Sequence, residues 1–347
     1  MTLDAANRKS RLLLPPSERK ARPSLTILVP VFNEDEALDL FLDAVDRVVK
    51  DVAVEAQYLF VNDGSQDETL ARLSALHKAR SDIGYLNFSK NFGKEAALSA
   101  GLDFVETDLV LIIDVDLQDP PGILPELLAR WHDGYDNVYG VRANRDSDSY
   151  LKRATANAFY KLFNRFSKDP IPQNVGDFRL IDRRVVLALR NLPERSRFMK
   201  GIMSWVGFPS VGVPYTRDAR AAGGSKFNYR KLWNFALDGI ISFSAMPLKI
   251  WTYIGGLIAF LAGMYAIVLA ARVLIFGVDV PGYASLMTAV LIMGSLNLIS
   301  LGLFGEYMSR LFVESKRRPI YLIADFNPAK TAKPAQTDSH NEDATPS

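Results

Sequence analysis

Short apolar runs alternate with helically spaced apolar positions from Ser24 to Arg142. Five runs, LTILVPVF, YLFVND, IGYLNFS, LVLIID and NVYGV, have the length of strands, and the continuous apolar run Leu109 to Ile113 predicts burial on both faces. Between the first two runs lies a helical stripe made of Ala37, Leu38, Phe41, Leu42, Val45, Val48 and Val49. The alternation predicts an α/β fold in which helices cover both faces of a mostly parallel sheet.

Two longer stretches, Ile250 to Ala271 and Tyr283 to Gly305, contain no charged residue. At about 1.5 Å of rise per residue, each is long enough to cross a hydrocarbon core of roughly 30 Å. Basic residues flank the pair on its outer sides, namely Arg230, Lys231, Lys249, Arg310, Lys316, Arg317 and Arg318. The positive-inside rule then predicts a transmembrane hairpin in a multi-pass protein of the inner (plasma) membrane, with the catalytic half in the cytoplasm. The alternative is a pair of buried helices in a soluble core.

Two further segments, 149–168 and 229–246, combine basic residues with an aromatic-rich apolar face. Such helices often pack on a globular core, but beside a membrane hairpin the pattern favours amphipathic helices in the headgroup region. Within the first long apolar stretch, Ala262, Ala266 and Ala270 recur every four residues. This stripe favours close helix packing and a possible homo-oligomer.

The composition narrows the choices further. The formal net charge is +2, which leaves no electrostatic footprint for a nucleic acid. The chain has no cysteine, which excludes a disulfide framework and thiolate metal sites. Its three histidines are scattered along the chain, which disfavours a zinc cluster. The predicted order is an N-terminal disordered arm (1–23), an α/β domain (24–228), an amphipathic helix (229–246), two transmembrane helices (247–276 and 283–308), a juxtamembrane segment (309–326) and a disordered tail (327–347).

Polar side chains follow three of the predicted strands at the point where each strand ends. They are Asn33 and Glu34, Asn62 and Asp63, and Asp114 and Asp116. Each acid could simply cap a turn, but the carboxyl ends of parallel strands share one edge of a sheet, where open α/β folds bind ligands. Clustered carboxylates become favourable around a divalent cation, and Mg²⁺ or Mn²⁺ is often shared with substrate phosphates. The chain has neither a P-loop nor a dinucleotide fingerprint, so these residues predict a metal-held diphosphate.

Six motifs in order, VPVFNE, VNDGSQD, NFGKEAAL, DVDLQDPP, GDFRL and RAAGGSKF, resemble the family 2 glycosyltransferases with the GT-A fold. Within that family, the two apolar stretches and GEYMSRLFVESKRRPIY resemble the polyprenyl-phosphate glycosyltransferases, the dolichol-phosphate mannosyltransferase-like group and its bactoprenol glucosyltransferase branch. The resemblance implies a nucleotide sugar as donor, with a UDP-sugar favoured, and polyprenyl phosphate as acceptor.

The resemblance also implies roles for individual residues. It places nucleotide-sugar binding on Pro30, Phe32, Glu34, Asp63, Lys94, Asp114 and Val115, metal binding on Asp116 and Gln118, and catalysis on Asp177, Asp116, Arg220 and Lys226. Arg142 and Arg145 follow the fifth predicted strand, and we expect them to bind the acceptor phosphate. Because a phosphate monoester is largely a dianion near neutral pH, Asp177 is expected to orient groups and not to remove a proton.

The resulting prediction is a metal-dependent, inverting hexosyltransferase that moves a sugar, with UDP-glucose favoured, to undecaprenyl or another polyprenyl phosphate for cell-wall or lipopolysaccharide glycosylation. One alternative is a processive polysaccharide synthase, although no glutamine in the chain begins the Q-x-x-R-W motif of those enzymes. The other is a catalytically silent membrane adaptor that retains the fold, against which the intact acidic motifs argue.

Overall fold

The computed structural model describes residues 19–143, 175–192, 194–195, 197–216, 246–276 and 282–330. It divides into two compact units. The first consists of Met1–Tyr160, Asp169–Phe227 and Pro319–Ser347, and the second of Lys161–Lys168 and Asn228–Arg318. The predicted amphipathic segment 149–168, most of 229–246, and the residues Arg145, Arg220 and Lys226 lie outside the described residues.

The first unit is built on an eight-stranded sheet. Its strands are β1 (Ser24–Val31), β2 (Glu55–Asn62), β3 (Ile83–Phe88), β4 (Leu109–Ile112), β5 (Asn137–Arg142), β6 (Val175–Asp182), β7 (Ser210–Tyr215) and β8 (Ile323–Asn327). Its helices are α1 (Leu38–Lys50), α2 (Thr69–Ala79), α3 (Lys94–Phe104), α4 (Leu124–His132), α5 (Arg183–Arg190) and α6 (Met199–Trp205). The five strands and the first helix predicted from the pattern are all present.

The strand order across the sheet is β7-β5-β6-β4-β1-β2-β3-β8. Strands β4, β1, β2 and β3 run parallel, which confirms the predicted parallel centre. Strand β6 is antiparallel to both neighbours, and β8 is antiparallel to β3. Because β6 runs against β4, the beginning of β6 lies at the same sheet edge as the end of β4. The register places Arg179 opposite Ile112, so continuing it brings Asp177 level with Asp114.

The core of this unit lies between the sheet and its helices. Helix α1 buries Leu38, Phe41, Leu42 and Val45 against the sheet, as its apolar stripe predicts. On α3, Gly101 lies so close to β1 that a β-carbon there would sit 2.1 Å from a methyl carbon of Leu28. A larger residue at this position would therefore force the buried Leu28 side chain to move.

Two segments toward the ends of the described chain make contacts that the sequence pattern does not predict. Arg19, in the arm predicted to be disordered, lies 2.5 Å from the Asp136 carboxylate and 4.8 Å from the centre of the Trp131 ring. Strand β8 falls within the segments predicted to be juxtamembrane and tail, yet it pairs with β3 as a strand of the sheet. Its pairing partner lies far away in sequence, which is why a local pattern does not reveal it.

The second unit contains two long helices, α7 (Met246–Phe276) and α8 (Tyr283–Ser315). Both helices exist where the sequence predicts them, and large apolar side chains such as Leu274 and Leu298 are exposed on them. Across the described residues, however, neither helix nor any other combines the length and apolar character needed to cross a membrane. The predictions of a transmembrane hairpin and a multi-pass location in the inner membrane are therefore wrong. They rested on the absence of charge, and uncharged polar residues such as Asn297 lie within the same stretch.

Candidate active site

The centre of the site is one ammonium group held between two carboxylates. Lys94 Nζ lies 2.7 Å from Asp114 Oδ1 and 2.8 Å from Asp177 Oδ2. It also donates to Asp114 Oδ2 at 2.8 Å. Asp114 follows β4, Asp177 lies in β6 and Lys94 is the first residue of α3. We call this arrangement the Lys94 bridge, and it joins three residues that the sequence assigns to the site.

The Lys94 bridge lies in a cleft that solvent reaches. The side chain of Lys94 is 41% exposed, that of Asp114 is 30% exposed and that of Asp177 is 20% exposed. Burial would raise the pKa of Asp177, but the charges of Lys94, Lys200 and Arg179 outweigh it and hold that pKa well below the usual range. Conversely, burial would lower the pKa of Lys94, and the two carboxylates raise it above its ordinary value. Both groups are therefore ionised at neutral pH.

Two charged residues beside the bridge were not identified as site residues from the sequence, although both lie inside quoted motifs. Arg179 is only 4% exposed, and its guanidinium donates to the carbonyl oxygen of Gly176 at 3.0 Å. Glu95 accepts a hydrogen bond from the backbone N–H of Met199 at 3.0 Å. Burial, together with the negative charge of Asp177, raises the pKa of Glu95 to about 7. The sequence shows a charged residue inside each motif, but it does not show which group that residue contacts in the fold.

Asp63 supports the turn that precedes Lys94. It is 4% exposed, and its two carboxylate oxygens accept the backbone N–H groups of Phe92 at 2.6 Å and Gly93 at 2.9 Å. Gly93 has a φ of +97°, a conformation that favours glycine, and α3 begins at the next residue. The carboxylate of Asp63 thus fixes where Lys94 enters the site. Its predicted contact with the nucleobase stays a prediction.

The predicted metal ligands lie on a tight turn after β4. The Asp116 carboxylate accepts the backbone N–H of Gln118 at 3.2 Å, and Leu117 between them has a φ of +54°. Asp119 is 2% exposed and accepts a hydrogen bond from the hydroxyl of Tyr215 in β7. This hydrogen bond ties the end of the turn to another strand.

The donor chemistry of this turn fits a hard divalent cation. No group of three His, Cys, Asp or Glu side chains in the described ranges is placed to hold a metal ion unaided. A carboxylate and an amide oxygen are, however, the kind of partial ligand set that Mg²⁺ or Mn²⁺ completes with water and substrate phosphates. Both oxygens of Asp114 contact Lys94, and Asp116 and Gln118 stay the predicted metal ligands.

The predicted nucleotide-binding residues lie at the same sheet edge. Pro30 lies in β1, and Phe32 and Glu34 follow it, with the Phe32 side chain 43% exposed. The backbone N–H of Glu34 donates to Thr69 Oγ1 at 3.0 Å, which ties the end of β1 to α2. Val115, by contrast, is 4% exposed and belongs to the hydrophobic core.

Arg142, the described member of the predicted acceptor-phosphate pair, lies at the end of β5. Its guanidinium is next to the start of β6, where a β-carbon added to Gly176 would be 3.2 Å from Nη2. Its Nε lies 3.4 Å from the hydroxyl of Tyr215. The Arg142 side chain therefore lies near the start of β6, the strand that carries Asp177.

Sequence comparisons identify the family to which the chain belongs. Residues 26–189 match the model described as glycosyl transferase family 2, and residues 246–311 match the GtrB C-terminal hairpin. An uncharacterised glycosyltransferase of Synechocystis is 48% identical over 301 residues, covering 87% of this chain and 95% of that protein. The bactoprenol glucosyl transferase of Shigella phage SfV is 47% identical over 299 residues, covering 86% of this chain and 97% of that protein.

Among solved structures, the mannosyltransferase PcManGT of Pyrobaculum calidifontis, in complex with GDP-Man and Mn²⁺, has a TM-score of 0.45 at 15% identity. The alignment covers 90% of this chain and 92% of that one, and a likeness at this level carries no argument about ligands. The sequence relatives are far closer and extend over nearly their full lengths. On their evidence the chain belongs to glycosyltransferase family 2.

Proposed function

We propose that this chain transfers glucose from a nucleotide sugar to a polyprenyl phosphate. The observation that carries the proposal is the 47% identity to a bactoprenol glucosyl transferase, over 97% of that relative. The geometry supports it, because donor-side and acceptor-side candidates lie at one edge of the sheet.

On the donor side, the exposed ring of Phe32 offers a stacking surface for a base, with Pro30 and Glu34 beside it. Asp116 and Gln118 would hold Mg²⁺ or Mn²⁺, which would neutralise charge on the diphosphate. We expect a UDP-sugar as donor. Arg220 and Lys226, outside the described residues, remain the predicted cationic pair that covers the leaving diphosphate.

On the acceptor side, the attacking atom is a phosphate oxygen. The second pKa of a phosphate monoester is about 6, so this oxygen is already anionic near neutral pH and needs no base. Asp177 is well suited to orienting neighbouring groups and poorly suited to taking a proton, because nearby cations hold its pKa well below the usual range. The phosphate would be bound by Arg142 together with Arg145, and a single displacement would invert the anomeric carbon.

The test is a transfer assay with the purified full-length chain and detergent-dispersed undecaprenyl phosphate. UDP-glucose, UDP-N-acetylglucosamine and GDP-mannose are supplied separately with Mg²⁺ or Mn²⁺, and the lipid product is identified by mass spectrometry. Formation of hexosyl-phosphoryl-undecaprenol from UDP-glucose is the expected result. A polymeric product would favour a polysaccharide synthase, and nucleotide binding without any product would favour a silent adaptor.

A further inference from the structure

We propose that Lys94 is a positioning residue that fixes the Asp177 carboxylate by tying it to Asp114, and that it does not primarily bind the nucleotide sugar. The proposal rests on the proposed function, because it assigns a role within the transferase site. It differs from the role that the family resemblance implies for Lys94.

The first argument is the geometry of the contacts. Lys94 Nζ contacts two carboxylate oxygens of Asp114 and one of Asp177, all at 2.7 to 2.8 Å. An ammonium group has three N–H donors, so these contacts use most of its hydrogen-bonding capacity. Lys94 is therefore engaged by the protein itself in this arrangement.

The second argument is the place of Lys94 in its helix. It is the first residue of α3, where the partial positive charge of the helix N-terminus disfavours a cation. The preceding turn is nonetheless fixed by the two N–H bonds to Asp63 and by the positive φ of Gly93. A locally unfavourable residue held by a rigid turn is typical of a site where the charge is needed by its partners.

The third argument is what would happen without the ammonium group. Asp114 follows β4 and Asp177 lies in β6, so they would face each other across the cleft as two like charges, with the Glu95 carboxyl nearby. Like charges at this range repel, and the partly exposed Asp177 side chain would be free to turn toward solvent. The Lys94 bridge thus couples the acidic motif after β4 to the carboxylate at the reacting centre.

The kinetic test compares Lys94→Met, which removes the charge at similar length, with Lys94→Arg, which keeps it. Misplacing a group at the reacting centre costs about 10²-fold in rate. We expect Lys94→Met to lower kcat by about that factor, with the KM for UDP-glucose changed by less than about threefold, and Lys94→Arg to recover part of the loss. Lys90→Met, in the same loop and exposed, is the matched control and should behave as wild type.

A double-mutant cycle separates positioning from direct substrate contact. If Lys94 acts through Asp177, Lys94→Met should cost little further rate in an Asp177→Asn background. Additive losses, or a rise in KM with kcat intact, would overturn the proposal and support a direct contact with the nucleotide sugar.

The same cycle in urea unfolding needs no activity, so it keeps the two proposals distinguishable. We expect Lys94→Met to lower the unfolding midpoint of the wild type more than that of Asp177→Asn, because the second background lacks one of the repelling charges. Equal shifts in both backgrounds would refute the coupling, even if the chain transferred no glucose at all.

Discussion

Glu95→Gln should make the protein more stable at pH 8 and leave its stability unchanged near pH 4.5. Glu95 is partly buried, accepts the N–H of Met199, and lies in the negative field of Asp177. Glutamine keeps an oxygen that can accept the same hydrogen bond, while it removes the charge. The substitution therefore isolates the cost of ionising this carboxyl in the folded state.

The magnitude follows from the pKa of Glu95, which rises from its ordinary value of 4.5 to about 7 on folding. At 1.36 kcal/mol for each pKa unit, this corresponds to roughly 3 kcal/mol. Solvent screening of a partly exposed group reduces the figure, so we expect a gain of about 1–2 kcal/mol. Because the folded pKa is the higher one, the folded state holds the proton between pH 4.5 and about 7, and the wild type loses stability as the pH rises through that window.

The assay is urea unfolding followed by tryptophan fluorescence at pH 4.5 and pH 8. Glu106→Gln is the matched control, because Arg183 and Arg190 lower the pKa of Glu106 in spite of its partial burial. That variant should lose stability at pH 8, and its deficit should shrink as the pH falls through the usual range for a carboxyl group. The reasoning about Glu95 is refuted if Glu95→Gln matches the wild type at pH 8 or is less stable there.

Three further predictions concern the site. Asp116→Ala should abolish transfer, as should a chelator added to the wild type, and full turnover in chelator would exclude the proposed metal. Asp177→Asn should lose about 10–10²-fold in rate but keep measurable turnover, since a side chain that only orients is partly replaced by the amide; an inactive variant rescued by formate or azide would instead identify a general base. Asp63→Ala should destabilise the protein by roughly 2–4 kcal/mol in urea unfolding, because two backbone N–H groups lose charged acceptors. A variant of Asp63 with normal stability and weaker binding of UDP, measured by calorimetry, would support a direct role with the nucleobase.

The parallel centre of the sheet could be predicted because the information is local. The apolar runs that form β1 to β4 are long, continuous and separated by helical stripes, and helix α1 buries the stripe read from the sequence. Asp63 and Asp114 could be identified as site candidates since strand ends of a parallel sheet meet at one edge. The antiparallel pairing of β6 with β4 and of β8 with β3 could not be predicted, because each strand pairs with a partner distant along the chain.

The contacts within the site were harder to predict for the same reason. Lys94 was assigned to the site through a motif, but its partners Asp114 and Asp177 come from two other elements that only the folded sheet brings together. Glu95 received no role, although its hydrogen bond to Met199 and its raised pKa are among the clearest features of the cleft. The membrane prediction failed because a run without charge fixes length and neutrality, but not the degree of apolarity that a bilayer demands.

Strand β8 has a consequence for any attempt to divide the protein by truncation. It pairs with β3, and it is supported by Tyr321 Oη, which donates to Asp103 at 2.7 Å, and by the backbone N–H of Lys330, which donates to Ser81 at 2.8 Å. The α/β unit is therefore discontinuous along the chain, with its last strand encoded after both long helices. A fragment that stops before Pro319 would leave the backbone groups of β3 that face β8 unpaired, and an uncovered edge strand is a template for intermolecular association. Autonomous expression of the α/β unit thus requires fusing residues 319–330 back onto the shortened chain.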